Sequence, residues 1–341
     1  MFHRKCVIEG AFGVDRLAVT EAQSRDPGPG EVRLRVEAVS LNRRDLLMVQ
    51  GVYNPRQVLP SVPCSDGAGI ADAVGPGCKR ILPGDRVVLH MMPKWLSGEP
   101  SSDKLSQAMG GASGEGTLEQ MIVVPEDAVL PIPDGMSFEA AATLPCAALT
   151  AWSAIVTLGP TRSGDTVMIQ GTGGVSLFAL QFAKMNGAFV IATTSSPERE
   201  QRLKALGADA TVNYRTDKDW ARTARSLAPG GRIDTIVDVG GGGTLDASLR
   251  VIRPGGTIAL IGVLDGAKAQ INLPLAVMRQ VRLQGVTVGS RETFEAMLRA
   301  IAIHGIEPVI DGTFTFENIR EAFSRMDANA HVGKIIVKPW G

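Results

Sequence analysis

Residues 62–70, VPCSDGAGI, place a thiol, a hydroxyl and a carboxylate at three consecutive positions, Cys64, Ser65 and Asp66. Thiolates and carboxylates ligate metals or carry protons, and a hydroxyl can donate to oxygen as negative charge develops on it. All three are also ordinary turn residues, with Gly67 and Gly69 supplying a permissive backbone. Locally, a metal corner, a catalytic corner and a plain turn are equally open. A second run, QGTGGVS at 170–176, joins an apolar stretch to a helical pattern. With no side chains at Gly171, Gly173 and Gly174, a pyrophosphate can approach the backbone, and the N–H groups of the helix opening near Val175 favour its charge. Ser176 occupies the usual third glycine position, and a tight turn is the alternative reading.

The elements around these runs change character along the chain. Up to about Pro125 the pattern is short, alternating and turn-rich: EVRLRVEAVSL (31–41), GDRVVLH (84–90) and LEQMIVVP (118–125) predict strands. Residues 91–116 interrupt them with a polar, glycine-rich segment of the kind found in surface loops and lids. From about Ser163 apolar strands alternate with helical stretches: TVMIQG (166–171), AFVIATTSS (188–196), ATVNY (210–214), IDTIVDVG (233–240) and TIALIGV (257–263). Strands and helices alternating at this spacing predict a parallel sheet covered on both faces. A helix over 291–304 and the strand-like GKIIVKP (333–339) return to the first texture. The expected organisation is therefore a first domain over 1–125 completed by 290–341, and a nucleotide domain over 126–289.

At the end of the second strand of the nucleotide region, an acid suited to the ribose of NAD is absent. The chain reads Thr193, Thr194, Ser195, Ser196, with Arg199 one helical turn on. Hydroxyls with a guanidinium suit a 2′-phosphate, so the pattern favours NADP(H) over NAD(H). A solvated Arg199 within PEREQR is the bland alternative. Tyr214 can flank an adenine or simply pack.

Composition excludes several partners. Lys plus Arg and Asp plus Glu are both 35, so no field draws the chain to nucleic acid or an anionic membrane, and the expected partner is a small molecule. The first residues lack the apolar core of a secretory signal and no run has the length of a membrane span, so the cytoplasm is expected. Cys6, Cys64, Cys78 and Cys146 are scattered, without a CxxC pair.

With a β-rich first part, SDGAG near 65 and GTGGVS near 171, the sequence resembles the medium-chain dehydrogenase/reductase superfamily over essentially its whole length. The resemblance implies an α/β protein with a GroES-like β-rich catalytic domain plus a Rossmann doubly wound parallel sheet, frequently a homodimer. In zinc-dependent members, a cysteine, the histidine of a GHE turn and a third cysteine or acid bind the metal. Here Asn42 and Ser65 stand at the first two positions, Asp66 replaces the glutamate, and Cys146 matches the third. The cysteine-rich structural lobe is missing from 91–116 as well. One ligand of three cannot hold a tetrahedral zinc, so no metal is expected and the zinc-free quinone oxidoreductase branch is the nearer likeness.

The same resemblance implies roles for other residues. Asn42 and Ser65 are candidate donors to a substrate oxygen, with backbone-bonded turn residues as the alternative, and Tyr53 either gives a proton or walls the pocket. Asp45 pairs with Lys334, a basic residue set against the cofactor pyrophosphate. Thr150, the backbone of Gly262, Val263 and Leu264, and the Gly289–Ser290–Arg291 run meet the nicotinamide half. His90 and Trp95, with flanking methionines, form an apolar lid, a surface patch or a dimer contact. The implied function is zinc-independent hydride transfer between NADP(H) and a quinone, enone or other activated carbonyl. Simple alcohol oxidation and non-catalytic nucleotide binding are the competing readings.

Overall fold

The computed structural model describes residues 1–111 and 115–340. The part of the 91–116 segment over 112–114 lies outside the described residues. The strands are β1 (Phe2–Ile8), β2 (Leu17–Gln23), β3 (Glu31–Leu41), β4 (Asp66–Val74), β5 (Arg86–Leu89), β6 (Met121–Pro125), β7 (Val129–Pro131), β8 (Thr166–Gln170), β9 (Phe189–Thr194), β10 (Ala210–Asn213), β11 (Ile233–Asp238), β12 (Ile252–Leu260), β13 (Arg282–Gly285), β14 (Ile310–Thr315) and β15 (Lys334–Lys338). The chain forms two units, Met1–Ala147 with Ser290–Gly341, and Ala148–Gly289.

In the first unit, β1 and β2 make a hairpin ladder, and a larger sheet runs β14-β15-β3-β4-β5-β7 with β6 also on β3. Burial along β3 alternates from Val32 to Val36, then becomes continuous from Ala38 to Leu41, so the strand enters the interior as it nears Asn42. Its inward side chains Val32, Leu34 and Val36 pack with Leu46, Val87, Leu89 and Phe323.

Within the stretch 62–70, Asp66, Gly67, Ala68 and Gly69 are not a turn but the first residues of β4, paired antiparallel to β3. The left-handed backbone falls on Cys64, at φ 75°. Gly69 is required by proximity, because a Cβ there would lie 2.0 Å from the Arg35 carbonyl oxygen. Nor is 91–111 a bare loop: Met91, Met92, Trp95 and Met109 are buried and a short helix spans Ser102–Leu105.

In the second unit six strands form one sheet, ordered β10-β9-β8-β11-β12-β13, with every pairing parallel. The order reverses between β8 and β11, which makes the carboxyl ends of these strands the ligand crevice of a Rossmann sheet. The central strand β8, TVMIQ, is buried at every residue, as a parallel strand covered on both faces must be.

Candidate active site

In the first unit three strand ends meet. The register sets Ile335 of β15 opposite Leu41 of β3 and Asp66 of β4 opposite Ser40, so Lys334, Asn42 and Asp66 come together at one end of the sheet. Lys334 Nζ donates to Leu41 O at 2.8 Å and to Asn42 Oδ1 at 2.5 Å, and lies 3.8 Å from Asp66 Oδ2. Asp66 also accepts from Ser65 Oγ at 2.9 Å and from Cys146 N–H at 3.2 Å. The resemblance already grouped Asn42, Ser65, Asp66 and Cys146; strand register adds Lys334, nearly 300 positions from Asn42, to that group.

Lys334 makes its direct contacts with Asp66, Asn42 and Leu41, while its charge still bears on the Asp45 carboxyl. Asp45 sits in the first turn of the helix Arg43–Val49, where Oδ2 accepts from Asn42 N–H at 2.8 Å and Oδ1 lies 3.3 Å from Arg44 Nη1. An acid there completes the helix start and offsets the half-buried Arg44 guanidinium. Arg44 also donates to Met109 O at 3.0 Å and lies 5.8 Å from the centre of the Tyr53 ring. Sequence reasoning passed over Arg44, although an RRD triplet at a helix start was the available signal.

Burial raises both carboxyls. Asp45 is pushed up to about 6 by burial, against the pull of Arg44, and burial likewise lifts Asp66 above the usual carboxylate range against the pull of Lys334. Burial, with Asp66 beside it, pushes the Cys146 thiol up to about 12. Asn42 Oδ1 is taken by Lys334, which fixes the amide orientation, and its buried Nδ2 weighs on Asp66 without a hydrogen bond of ordinary geometry. Ser65 differs, because its hydroxyl proton is already given to Asp66. Asn42 Nδ2, by contrast, is buried with no hydrogen bond of ordinary geometry among the described residues.

The remaining first-unit candidates are dispersed. Tyr53 is 61% exposed. His90 is buried 6.0 Å from the Phe294 ring, and Trp95 is buried with its ring N–H on Gly98 O and its carbonyl accepting from Arg291 N–H, so neither stands as a free lid. Ser290 caps the helix Arg291–His304, while Arg291 pairs with Asp127 and Glu295.

In the second unit, β8 runs into the helix Gly174–Met185 through the glycine corner. Gly171 has φ 76°, and a Cβ on Gly171 or Gly173 would meet nothing within 4 Å. The space above the corner is therefore open, and a side chain would fill it. Gly173 caps the helix without a side-chain bond, leaving the first-turn N–H groups for a ligand, with Gly174 and Val175 in that turn. Ser176 Oγ donates to Gln170 O at 2.7 Å, which explains a serine at the third position: it ties helix to strand. These features fit a dinucleotide pyrophosphate.

At the end of β9, Thr193 and Thr194 are buried, and Thr194 Oγ1 has no hydrogen-bond partner among the described residues. Ser196 caps the helix Pro197–Ala205, its Oγ accepting from Arg199 N–H at 3.4 Å, and Ser195 precedes it. Tyr214 follows β10, 40% exposed. Thr150 Oγ1 donates to Thr287 O at 2.9 Å. Gly262, Val263 and Leu264 follow β12, with both side chains exposed. A residue missed in the sequence is Asp238, buried at the end of β11, where it accepts from Gln170, Ser248, Thr244 and Gly241 and shapes the loop beside the corner.

Among the described residues no group of three or more His, Cys, Asp or Glu side chains could hold a metal ion, and no helix is long and apolar enough to cross a membrane.

The two-part architecture and the nucleotide corner define a nicotinamide-dependent oxidoreductase, and sequence comparison agrees. Residues 28–134 match the alcohol dehydrogenase GroES-like domain and residues 174–302 the zinc-binding dehydrogenase domain. A zinc-type alcohol dehydrogenase-like protein of Schizosaccharomyces pombe is 37% identical over 342 residues, covering 98% of this chain and 99% of that protein. A quinone oxidoreductase of Pseudomonas aeruginosa is 30% identical, covering 85% and 83%. A solved NAD-dependent alcohol dehydrogenase superposes with a TM-score of 0.90 at 34% identity, covering 98% and 99%. The chain belongs to the medium-chain dehydrogenase/reductase superfamily and is an NAD(P)-dependent oxidoreductase.

Proposed function

We propose that the protein is a zinc-independent, NADP(H)-dependent oxidoreductase acting on a quinone, an enone or another activated carbonyl. The observation that carries this reading is the Lys334 ammonium bonded to Asn42 Oδ1 and 3.8 Å from Asp66 Oδ2. At the positions where zinc-dependent relatives place ligands, this chain has an amide whose oxygen is occupied by a cation and a hydroxyl whose proton is given to a carboxylate. Neither suits a divalent metal beside thiolate and imidazole. Bound NADP(H) supplies or accepts a hydride. The chain's own part is to hold the nucleotide on the uncapped helix start at Gly173 and to offer Asn42 Nδ2 to the substrate oxygen, with Lys334 fixing the amide. Conjugated acceptors suit such a site because arriving charge spreads over several atoms.

The preference for NADP(H) rests on the hydroxyls of Thr193 to Ser196, on Arg199, and on the lack of an acid at the end of β9. A second reading, oxidation of simple alcohols with NAD, is favoured by the likeness to the NAD-dependent alcohol dehydrogenase. A cytoplasmic homodimer completes the proposal. β13 is an edge strand, and Leu273, Val277 and Met278 beside it are 63%, 71% and 82% exposed, which suits a second copy pairing edge to edge.

The test is turnover of matched conjugated and saturated carbonyls, followed by NADPH absorbance. Faster reduction of the conjugated member is expected. Preference for saturated aldehydes, abolished by a chelator, would overturn the proposal.

A further inference from the structure

At the opposite end of the second unit's sheet from the glycine corner, four arginines line one cavity of about 290 Å³: Arg162, Arg232, Arg253 and Arg282, with Asp165 and Asp234. They stand at strand beginnings. Asp165 precedes β8, Asp234 is the second residue of β11, and Arg282 opens β13, while Thr257 of β12 is level with both Thr235 and Arg282. Nucleotides bind at the carboxyl ends of such strands. The length of β8, at about 3.3 Å per residue, separates the two places by roughly 15–20 Å.

The charges do not balance: four guanidiniums face two carboxylates. Asp234 is fully engaged, with Oδ2 accepting from Thr166 N–H at 2.8 Å and Oδ1 from Arg232 Nε at 2.9 Å and Arg253 Nε at 2.5 Å. The guanidiniums beside it and Thr166 N–H hold its carboxyl below its ordinary value against the effect of burial. It thus aligns two guanidinium planes by their Nε edges without neutralising the whole cluster. Arg282 Nη2 donates to Gly255 O at 3.1 Å. Asp165 gives one oxygen to Arg162 N–H, and the Arg162 guanidinium itself has no hydrogen bond or ion pair among the described residues. Converging like charges in a concave site raise the local potential and draw anions. Forked guanidiniums match the oxygens of phosphate, and the cavity exceeds the size of one phosphate group.

We propose that this pocket is a second anion site, taking a small multivalent phosphate, a diphosphate group in particular, at the sheet end remote from the nucleotide corner. The site is independent of which acceptor the enzyme reduces. It binds its ligand alongside NADPH rather than in competition with it.

The experiment is calorimetric titration of inorganic pyrophosphate into the full chain saturated with NADPH, at constant ionic strength. One equivalent per chain is expected to bind saturably. Arg162→Ala should weaken it by at least tenfold, and Arg162→Ala/Arg282→Ala should abolish it. Both side chains are exposed, and unchanged NADPH affinity in the variants reports an intact fold. Heat without saturation, binding lost once NADPH is present, or equal binding by wild type and both variants would each overturn the proposal.

Discussion

Lys334 Nζ and Asp66 Oδ2 stand 3.8 Å apart in the first unit, on side chains 4% and 0% exposed, and Lys334 is the main counter-charge of Asp66. A buried charge deprived of its partner is strongly unfavourable. Lys334→Met should therefore lower stability at neutral pH by ~3–5 kcal/mol. Adding Asp66→Asn should restore more than half of the loss. Urea denaturation of wild type, the single variant and the double variant checks both expectations; a double variant no better than the single would mean that Lys334 acts through Leu41 O and Asn42 alone.

The same cation bears on metal content. Purified protein should carry well under one zinc per chain by elemental analysis, and chelator treatment should leave turnover unchanged. About one zinc per chain, with activity removed by chelation and restored by metal, would refute zinc independence.

The proposed preference for NADP(H) rests on the end of β9. Arg199→Ala should weaken NADPH by ~1.5–3 kcal/mol, roughly one to two orders of magnitude, and leave NADH nearly unchanged, since only NADPH carries the phosphate. Thr194→Asp should shift preference toward NADH by adding repulsion and a ribose acceptor. Nicotinamide fluorescence titrations measure all four affinities. Equal losses for the two cofactors on removing Arg199 would assign it to the helix alone.

A pH dependence follows from Glu31. Arg25 and the Gly28 N–H bond its carboxylate and hold it at about 2, below its ordinary 4.5. A depressed carboxyl stabilises the fold above its unfolded value, and the contribution disappears as pH falls through the folded one. Glu31 and Arg25 are partly exposed, so solvent screening limits the effect to ~0.2–1 kcal/mol. Glu31→Gln should lose that amount at pH 7, and its gap to wild type should narrow between pH 4.5 and 2 in denaturant titrations. A gap independent of pH would show that the variant acts by packing.

Local pattern made much of this protein readable in the chain. Alternation at 31–41 marks β3, and the run TVMIQ, apolar at Val167, Met168 and Ile169, marks the buried parallel strand β8. Both follow from residue spacing against a two-residue pleat, which needs no knowledge of the rest of the fold. The glycine corner was legible for the same reason, because it is one strand, one turn and one helix.

What local pattern could not decide was which distant side chains meet. DGAG has the composition of a turn, yet it is strand, because Gly69 must lie against the Arg35 carbonyl on β3. The 335-to-41 register sets Lys334 directly on Asp66 and Asn42, with Asp45 feeling its charge from the adjoining helix start. The arginines at 162, 232, 253 and 282 are unremarkable apart, and become one pocket only because their strands begin at the same end of a parallel sheet. Residue types and their short-range spacing thus determined the class of fold and the nucleotide corner. Tertiary structure decided the charge partners, since strand register and parallel order join residues that sequence separation leaves unrelated.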